Sequence, residues 1–196
     1  MALTTYASAV ELFDYMTNEL NLAQHQADHP WRLPVLITSN EGRVVVLRQV
    51  NTIDGYWTFY TDRRSSKVTQ LKESVGVASA TFYHVHQKIQ VRMKGAISEV
   101  DKGQHTVHWN SLQPYQQLSY ATIKAPGTEL EKPGSGLSEN WSNHTPSRIE
   151  LKEAFKNFGV YTFKIDKTEL LLLNRTGARR CLFKQWNPED YSWLVP

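Results

Sequence analysis

The chain has 196 residues, 40% of them apolar and 11% aromatic, and its 22 Lys and Arg against 19 Asp and Glu leave a net charge of +3. That size and balance predict a chain able to bury a sizeable core. They exclude a disordered or fibrous protein and fall short of the basicity of a nucleic-acid-binding surface. A single cysteine, Cys181, excludes an intrachain disulfide framework and a multi-cysteine zinc site. No apolar run approaches the roughly 18 residues of a membrane span, and no basic stretch precedes Glu11 and Asp14 as a secretory leader would require, so a cytoplasmic location is expected.

In chain order, Val10, Leu12, Phe13, Met16, Leu20 and Leu22 recur near a 3.6-residue period, which predicts a helix over Ser8–Leu22 ending before His29-Pro30. The period then shortens to two. Val35–Thr38 reads as a strand, Asn40-Glu41-Gly42 as a turn and Arg43–Arg48 as the returning strand of a hairpin. Asn51–Gly55 carries a further turn signal, and Tyr56–Tyr60 has the aromatic and β-branched content of a third strand. Ser65–Ser74 predicts a helix capped by Ser65 or Ser66, followed by strands over Val75–His86 and Lys88–Val100.

Asp101–Leu118 reads either as one bent helix or as two short ones, because Pro114 interrupts the run. Ala125–Pro146, with Pro126-Gly127 and Pro133–Gly136, predicts a long loop of a kind uncommon without a function or disorder. Ser147–Asn157 predicts a helix, and Gly159–Ile165, Glu169–Leu173 and Arg180–Gln185 predict closing strands. The whole reads as one mainly β domain over 1–196, an antiparallel barrel with flanking helices. Its N-terminal helix falls within 1–28 and a helical and loop insertion within 101–157.

Several cations fall in two short stretches, Arg43–Arg48 and Arg63–Lys67, which favours a compact anion such as a phosphate. A strand over Arg43–Arg48 turns Arg43, Val45 and Leu47 to one face and Val44, Val46 and Arg48 to the other, so the two arginines serve different surroundings. The planar fork of an arginine suits a phosphate because it meets two oxygens at once. Tyr60-Thr61-Asp62-Arg63-Arg64-Ser65-Ser66-Lys67 runs from a strand end into a helix start, where free backbone N–H groups attract anions. Thr61, Ser65 and Ser66 add hydroxyls there and Lys67 adds charge. Taken alone, the same segment suits an ordinary solvated helix cap equally well.

Together, Arg43-Val44-Val45-Val46-Leu47-Arg48, then Tyr60-Thr61 with Ser65-Ser66-Lys67, then Gln90-Val91-Arg92-Met93-Lys94-Gly95 resemble the cofactor-binding core of the pyridoxamine 5'-phosphate oxidase family. Trp109–Tyr120, Ala125-Pro126-Gly127 and the ending Arg179-Arg180 through Trp193–Pro196 are similar to a cyanobacterial-type branch of it. The resemblance implies a Greek-key split β-barrel that binds FMN at the interface of a homodimer. It implies that Arg43, Thr61, Ser65, Ser66 and Lys67 surround the flavin phosphate, and it counts Tyr60 among the cofactor-binding residues. It further implies that Arg48, Gln90 and the backbone of Val44, Val45, Val46 and Leu47 line the isoalloxazine ring, with Arg180 reaching it from the partner subunit.

The chain departs from the family's vitamin-processing members at four places. Ser66 stands where they carry an Arg, a Leu around Leu172 replaces a Trp, and the loop before Arg43 is shorter. Gln113, Gln117, Thr176 and Ala178 replace basic and histidine side chains that bind the substrate phosphate. The cofactor half of the resemblance therefore carries over residue by residue and the vitamin B6 half does not. The implied function is an FMN-dependent oxidoreductase acting on a small molecule of open identity, with no protein acid or base named.

Other candidates have plainer readings. His84 and His86 would share a strand face, and His105 and His108 a helix face, but neither pair has a third ligand, so no metal site is expected. Cys181 has no resolving partner and reads as a packed residue. Trp109 and Trp141 lie near the loop and are candidates to border a substrate opening. Two other function classes fit: a non-catalytic flavin-binding or storage protein, and a small barrel stacking single-stranded nucleic acid on Trp57, Phe59, Tyr60, Phe82 and Tyr83. The alternation of those aromatics along strands suits core packing better, and neither a nucleic acid nor a membrane is expected as a partner.

Overall fold

Ser8 accepts the Glu11 N–H on its hydroxyl at 3.2 Å while its own N–H donates to Glu11 Oε2 at 2.6 Å, a capping box that starts α1 (Ala9–His25). The computed structural model describes residues 8–39, 41–141, 146–175 and 177–196. Leu12, Met16, Leu20 and Ala23 form the buried stripe of α1, and Phe13 meets Phe183 and Trp186 edge-on at centroid distances of 5.3 and 4.9 Å.

The strands are β1 (Val35–Thr38), β2 (Glu41–Val44), β3 (Gln49–Asn51), β4 (Tyr56–Asp62), β5 (Val77–His84), β6 (Ile89–Glu99), β7 (Phe158–Leu172), β8 (Arg179–Lys184) and β9 (Tyr191–Leu194). They form one antiparallel sheet in the order β2-β1-β5-β6-β7-β4-β3, with β8 on the second half of β7 and β9 on β8. The two ends of that order, β2 and β3, are consecutive in sequence. No ladder joins them among the described residues. Instead Val45–Arg48 spans the gap, with the Val45 and Leu47 N–H groups on Pro34 and Arg32 carbonyls and the Arg48 N–H on the Thr58 carbonyl. The fold is thus the expected mainly β one with flanking helices, in a curled sheet that is not closed.

Glu41 and Gly42, expected in a turn, lie in β2 opposite Thr38 and Ile37. The connection is tighter than expected: Ser39 has a φ of 52°, as a two-residue hairpin requires, and Asn40 lies outside the described residues. The two closing strands expected over Gly159–Ile165 and Glu169–Leu173 are one continuous strand, β7. Its register shifts where Lys94 pairs with Lys167 but Gly95 with Ile165, so Asp166 is the extra residue of a bulge. A Cβ on Gly95 would stand 1.9 Å from the Lys164 carbonyl oxygen, so only glycine allows this approach. β9 had no counterpart among the expected strands.

α2 (Ser66–Glu73) follows β4, and α3 (His105–Ser111) and α4 (Pro114–Gln117) follow β6. Pro114 opens α4, so the two-helix reading of this region holds. The described residues of Ala125–Pro146 contain a single 3₁₀ turn, Glu139–Trp141, and no strand, and Glu150–Asn157 is a 3₁₀ helix where a helix was expected. Trp57, Phe59, Phe82 and Phe163 fill the main core, with Trp57 stacked on Phe163 at 5.0 Å. A second cluster around Trp109, Tyr120, Leu151 and Phe158 seats the helical insertion on the outer face of β4 and the start of β7. Trp109, expected beside an opening, is mostly buried, its ring packed on Tyr120, Phe155 and Phe158, and it lines a cavity of about 420 Å³ together with Gln117 and Arg148.

Candidate functional site

Of the strand expected over Arg43–Arg48 only Arg43 and Val44 lie in β2, and Val45–Arg48 is the connection to β3, yet burial still alternates along it. Val45 and Leu47 are buried in the main core and Val44 is 61% exposed on the outer face. The two arginines accordingly diverge. Arg43 Nη1 donates to Ser66 Oγ at 3.1 Å, whereas the Arg48 guanidinium lies over the Tyr60 ring, 5.0 Å from its centroid. Arg48 Nε is buried and has no hydrogen-bond partner.

At the start of α2, Ser65 has extended backbone and occupies the cap position, but its hydroxyl makes no cap hydrogen bond. It is turned instead to Thr61 Oγ1 at 3.5 Å and accepts from Lys67 Nζ at 3.3 Å, and Lys67 also donates to Thr61 Oγ1. Arg43, Thr61, Ser65, Ser66 and Lys67 therefore converge on the N-terminal end of one helix, whose dipole adds to their charge. Burial, and next the neighbouring Arg43, pull Lys67 down to about 8 against the opposing pull of Asp62. The cation-rich neighbourhood divides cleanly: Arg64 is held by both oxygens of Asp62 at 2.7 and 3.0 Å and by the Thr122 carbonyl at 3.0 Å. Arg63 is tied to Glu99 and His105, each at 2.8 Å. Neither belongs to the cradle.

Gln90 and Arg180 lie elsewhere, on the outer face of the sheet. Gln90 pairs with Leu171 and Leu171 with Arg180, which sets the three side by side on β6, β7 and β8. Next to them Glu169 accepts Arg92 Nε at 2.8 Å and Arg180 Nη2 at 2.7 Å, while Arg180 Nε is buried without a partner. Burial raises the Glu169 carboxyl but the two guanidinium bonds outweigh it, so it titrates below its ordinary range. Sequence reasoning missed Glu169 and Arg92, because only the β6–β7 register brings them together. It also missed Glu41 and Gln70, which rim the cradle: Glu41 pairs with Arg43, and Gln70 Nε2 donates to Glu41 Oε2 at 2.9 Å.

Among the described residues no group of three or more His, Cys, Asp or Glu is arranged to hold a metal. His84 ends β5 with its ring 6.3 Å from that of His86, and His105 and His108 go to separate partners, Arg63 and the Tyr60 hydroxyl. Cys181 is fully buried, and burial pushes its thiol up to about 11. No helix among the described residues is long and apolar enough to cross a membrane.

The described residues thus form a curled antiparallel sheet with a group of cations and hydroxyls at the junction of β4 and α2. Residues 21–101, which contain the whole cradle, match the model of the pyridoxamine 5'-phosphate oxidase FMN-binding domain family. The resemblance read from the motifs is thereby shown, and the matched domain is an FMN-binding one. The chain is similar over its full length to a pyridoxamine 5'-phosphate oxidase-related, FMN-binding protein from Nostoc punctiforme PCC 73102 (19% identity, 100% of both chains, TM-score 0.71). It is similar to PhzG from Burkholderia lata 383, solved with tetrahydrophenazine-1-carboxylic acid (16% identity, 98% of this chain and 94% of that one, TM-score 0.66). These likenesses show the split-barrel fold. No curated protein sequence matches the chain.

Proposed function

We propose that the protein holds FMN at the interface of two copies of itself and acts as an FMN-dependent oxidoreductase on a small molecule other than a vitamin B6 phosphate. The observation that carries this is the convergence of Arg43, Ser66, Lys67 and Thr61 at an uncapped helix start, a donor set that fits a phosphate monoester. Arg43, Thr61, Ser65, Ser66 and Lys67 would hold the phosphate. Arg48, Gln90, Tyr60 and the backbone of Val44–Leu47 would border the ring, with Arg180 of the second copy completing it. Bound FMN would supply the electron transfer, and the protein would supply orientation and charge.

Support for a second copy comes from the outer face of the sheet. Val35 and Tyr83 are 38% and 45% exposed on β1 and β5, whose other faces are packed, and Val44, 61% exposed, pairs with Val35 on the same side. Support for a non-phosphorylated substrate comes from Gln117, which is fully buried with its amide on the Trp109 carbonyl at 2.9 Å and adds no charge. The test is to release the chromophore of the purified protein, identify it, and then reduce it anaerobically with nicotinamide cofactors and a panel of candidate substrates. FMN that bleaches with one of them is the expected result. FMN that none of them reduces favours a storage protein, and a colourless protein that takes up no FMN contradicts the reading.

A further inference from the structure

Glu41 and Arg43 stand two residues apart on β2, so the pleat puts them on one face. Glu41 Oε2 accepts from Arg43 Nη2 and, at 2.9 Å, from Gln70 Nε2. The Gln70 amide is itself oriented, because its oxygen accepts the Thr38 hydroxyl at 2.7 Å, which turns its nitrogen towards Glu41. Of the two terminal nitrogens of Arg43, one therefore serves Ser66 and the other a carboxylate of the same strand. Asp62, the other acid near the cradle, is paired with Arg64, whereas Glu41 is paired with a cation of the cradle itself, Arg43.

We propose that Glu41 is a displaceable counter-ion of this cradle: its carboxylate holds the Arg43 fork, and an incoming phosphate monoester must expel it to gain Arg43. The proposal rests on the reading of the cradle as the phosphate site. The exchange is within reach because the Glu41 side chain is 57% exposed, and an ion pair so open to solvent is weak. Once expelled, the carboxylate remains a like charge near the phosphate and disfavours it further. Both effects have the same sign: removing the Glu41 charge tightens binding, the reverse of what removing a binding residue does.

The experiment is a titration of cofactor-free protein with FMN, and separately with riboflavin, followed by quenching of flavin fluorescence. Glu41→Gln, which keeps the shape and an acceptor oxygen, should bind FMN roughly two- to fivefold more tightly than the parent protein. Its riboflavin affinity should not change, since riboflavin has no phosphate to compete. Glu73→Gln removes an equal charge from the far end of α2 and should change neither affinity. Unchanged or weaker FMN binding by Glu41→Gln overturns the proposal, as does an equal gain for riboflavin or for Glu73→Gln. A parent protein that binds no FMN at all instead overturns the reading on which the proposal rests.

Discussion

Arg43 and Ser66, 23 positions apart in sequence, are joined by a hydrogen bond of 3.1 Å that ties the second strand to the start of α2. The bond depends on the placement of α2. Val68 and Leu71 of α2 are buried against the main core, which fixes the helix so that its N-terminal end faces the Arg43 side of β2. The cradle is thus a product of core packing, and only its charges are surplus to the fold.

That surplus has a measurable cost in cofactor-free protein. Lys67 titrates at about 8 when folded against 10.5 ordinarily, so between those values the unfolded chain binds more protons and stability should rise with pH. Below about 8 the penalty is present in full. Lys67→Met should therefore stabilise the cofactor-free protein near neutral pH and flatten the rise between 8 and 10.5, as measured by urea unfolding at several pH values. The same change should weaken FMN binding. In the parent protein FMN affinity should fall as pH rises through about 8, because the neutral amine no longer attracts the phosphate, and Lys67→Met should lack that decline.

Gly95 ends the Gln90–Gly95 motif, and its role is read from the β7 bulge. Gly95→Ala would force a Cβ onto the Lys164 carbonyl, so the strand pair must separate or shift. A loss of about 2–4 kcal/mol in unfolding free energy is expected, with or without FMN. An unfolding curve that superimposes on that of the parent would show that the bulge relaxes freely.

The outer face offers a test of the dimer. Val35→Glu places a charge among exposed apolar side chains of β1 and β2 without touching the core, since Leu36 and Thr38 point inwards. Sedimentation should show a dimer for the parent and a monomer for the variant. Because Arg180 would then be missing from the shared site, FMN affinity should fall at least about tenfold, a loss of 1.4 kcal/mol or more. A monomeric parent protein that still binds FMN would remove Arg180 from the site.

How much of this was legible in the sequence follows from the range of each signal. The opposite directions of Arg43 and Arg48 were legible because strand alternation is local, and so was α2, whose Ser65 start and apolar spacing lie within ten residues. The continuity of β7 was not, because Asp166 and Lys167 read as a break until β6 and β8 pair with the flanking residues and hold them extended. Tyr191–Leu194 escaped notice for the same reason: its strand exists through β8 alone. The Glu169–Arg92–Arg180 group and the hold of Glu41 on Arg43 depend on sheet register and hairpin length, which no single segment encodes. Trp109 was legible as a residue near an opening because it neighbours the loop, but its packing in the second cluster was not.

The cradle itself is tested most directly by comparing Arg43→Ala with Arg64→Ala in FMN titrations of cofactor-free protein. Arg43 faces the helix start, while Arg64 is consumed by Asp62 and Thr122. Losing one charge-assisted contact of about 1.5–3 kcal/mol should weaken FMN binding by roughly 10- to 100-fold in Arg43→Ala. Arg64→Ala should bind FMN as the parent does, although its fold should be less stable. Equal FMN affinities for the two variants, or a greater loss in Arg64→Ala, would contradict the account.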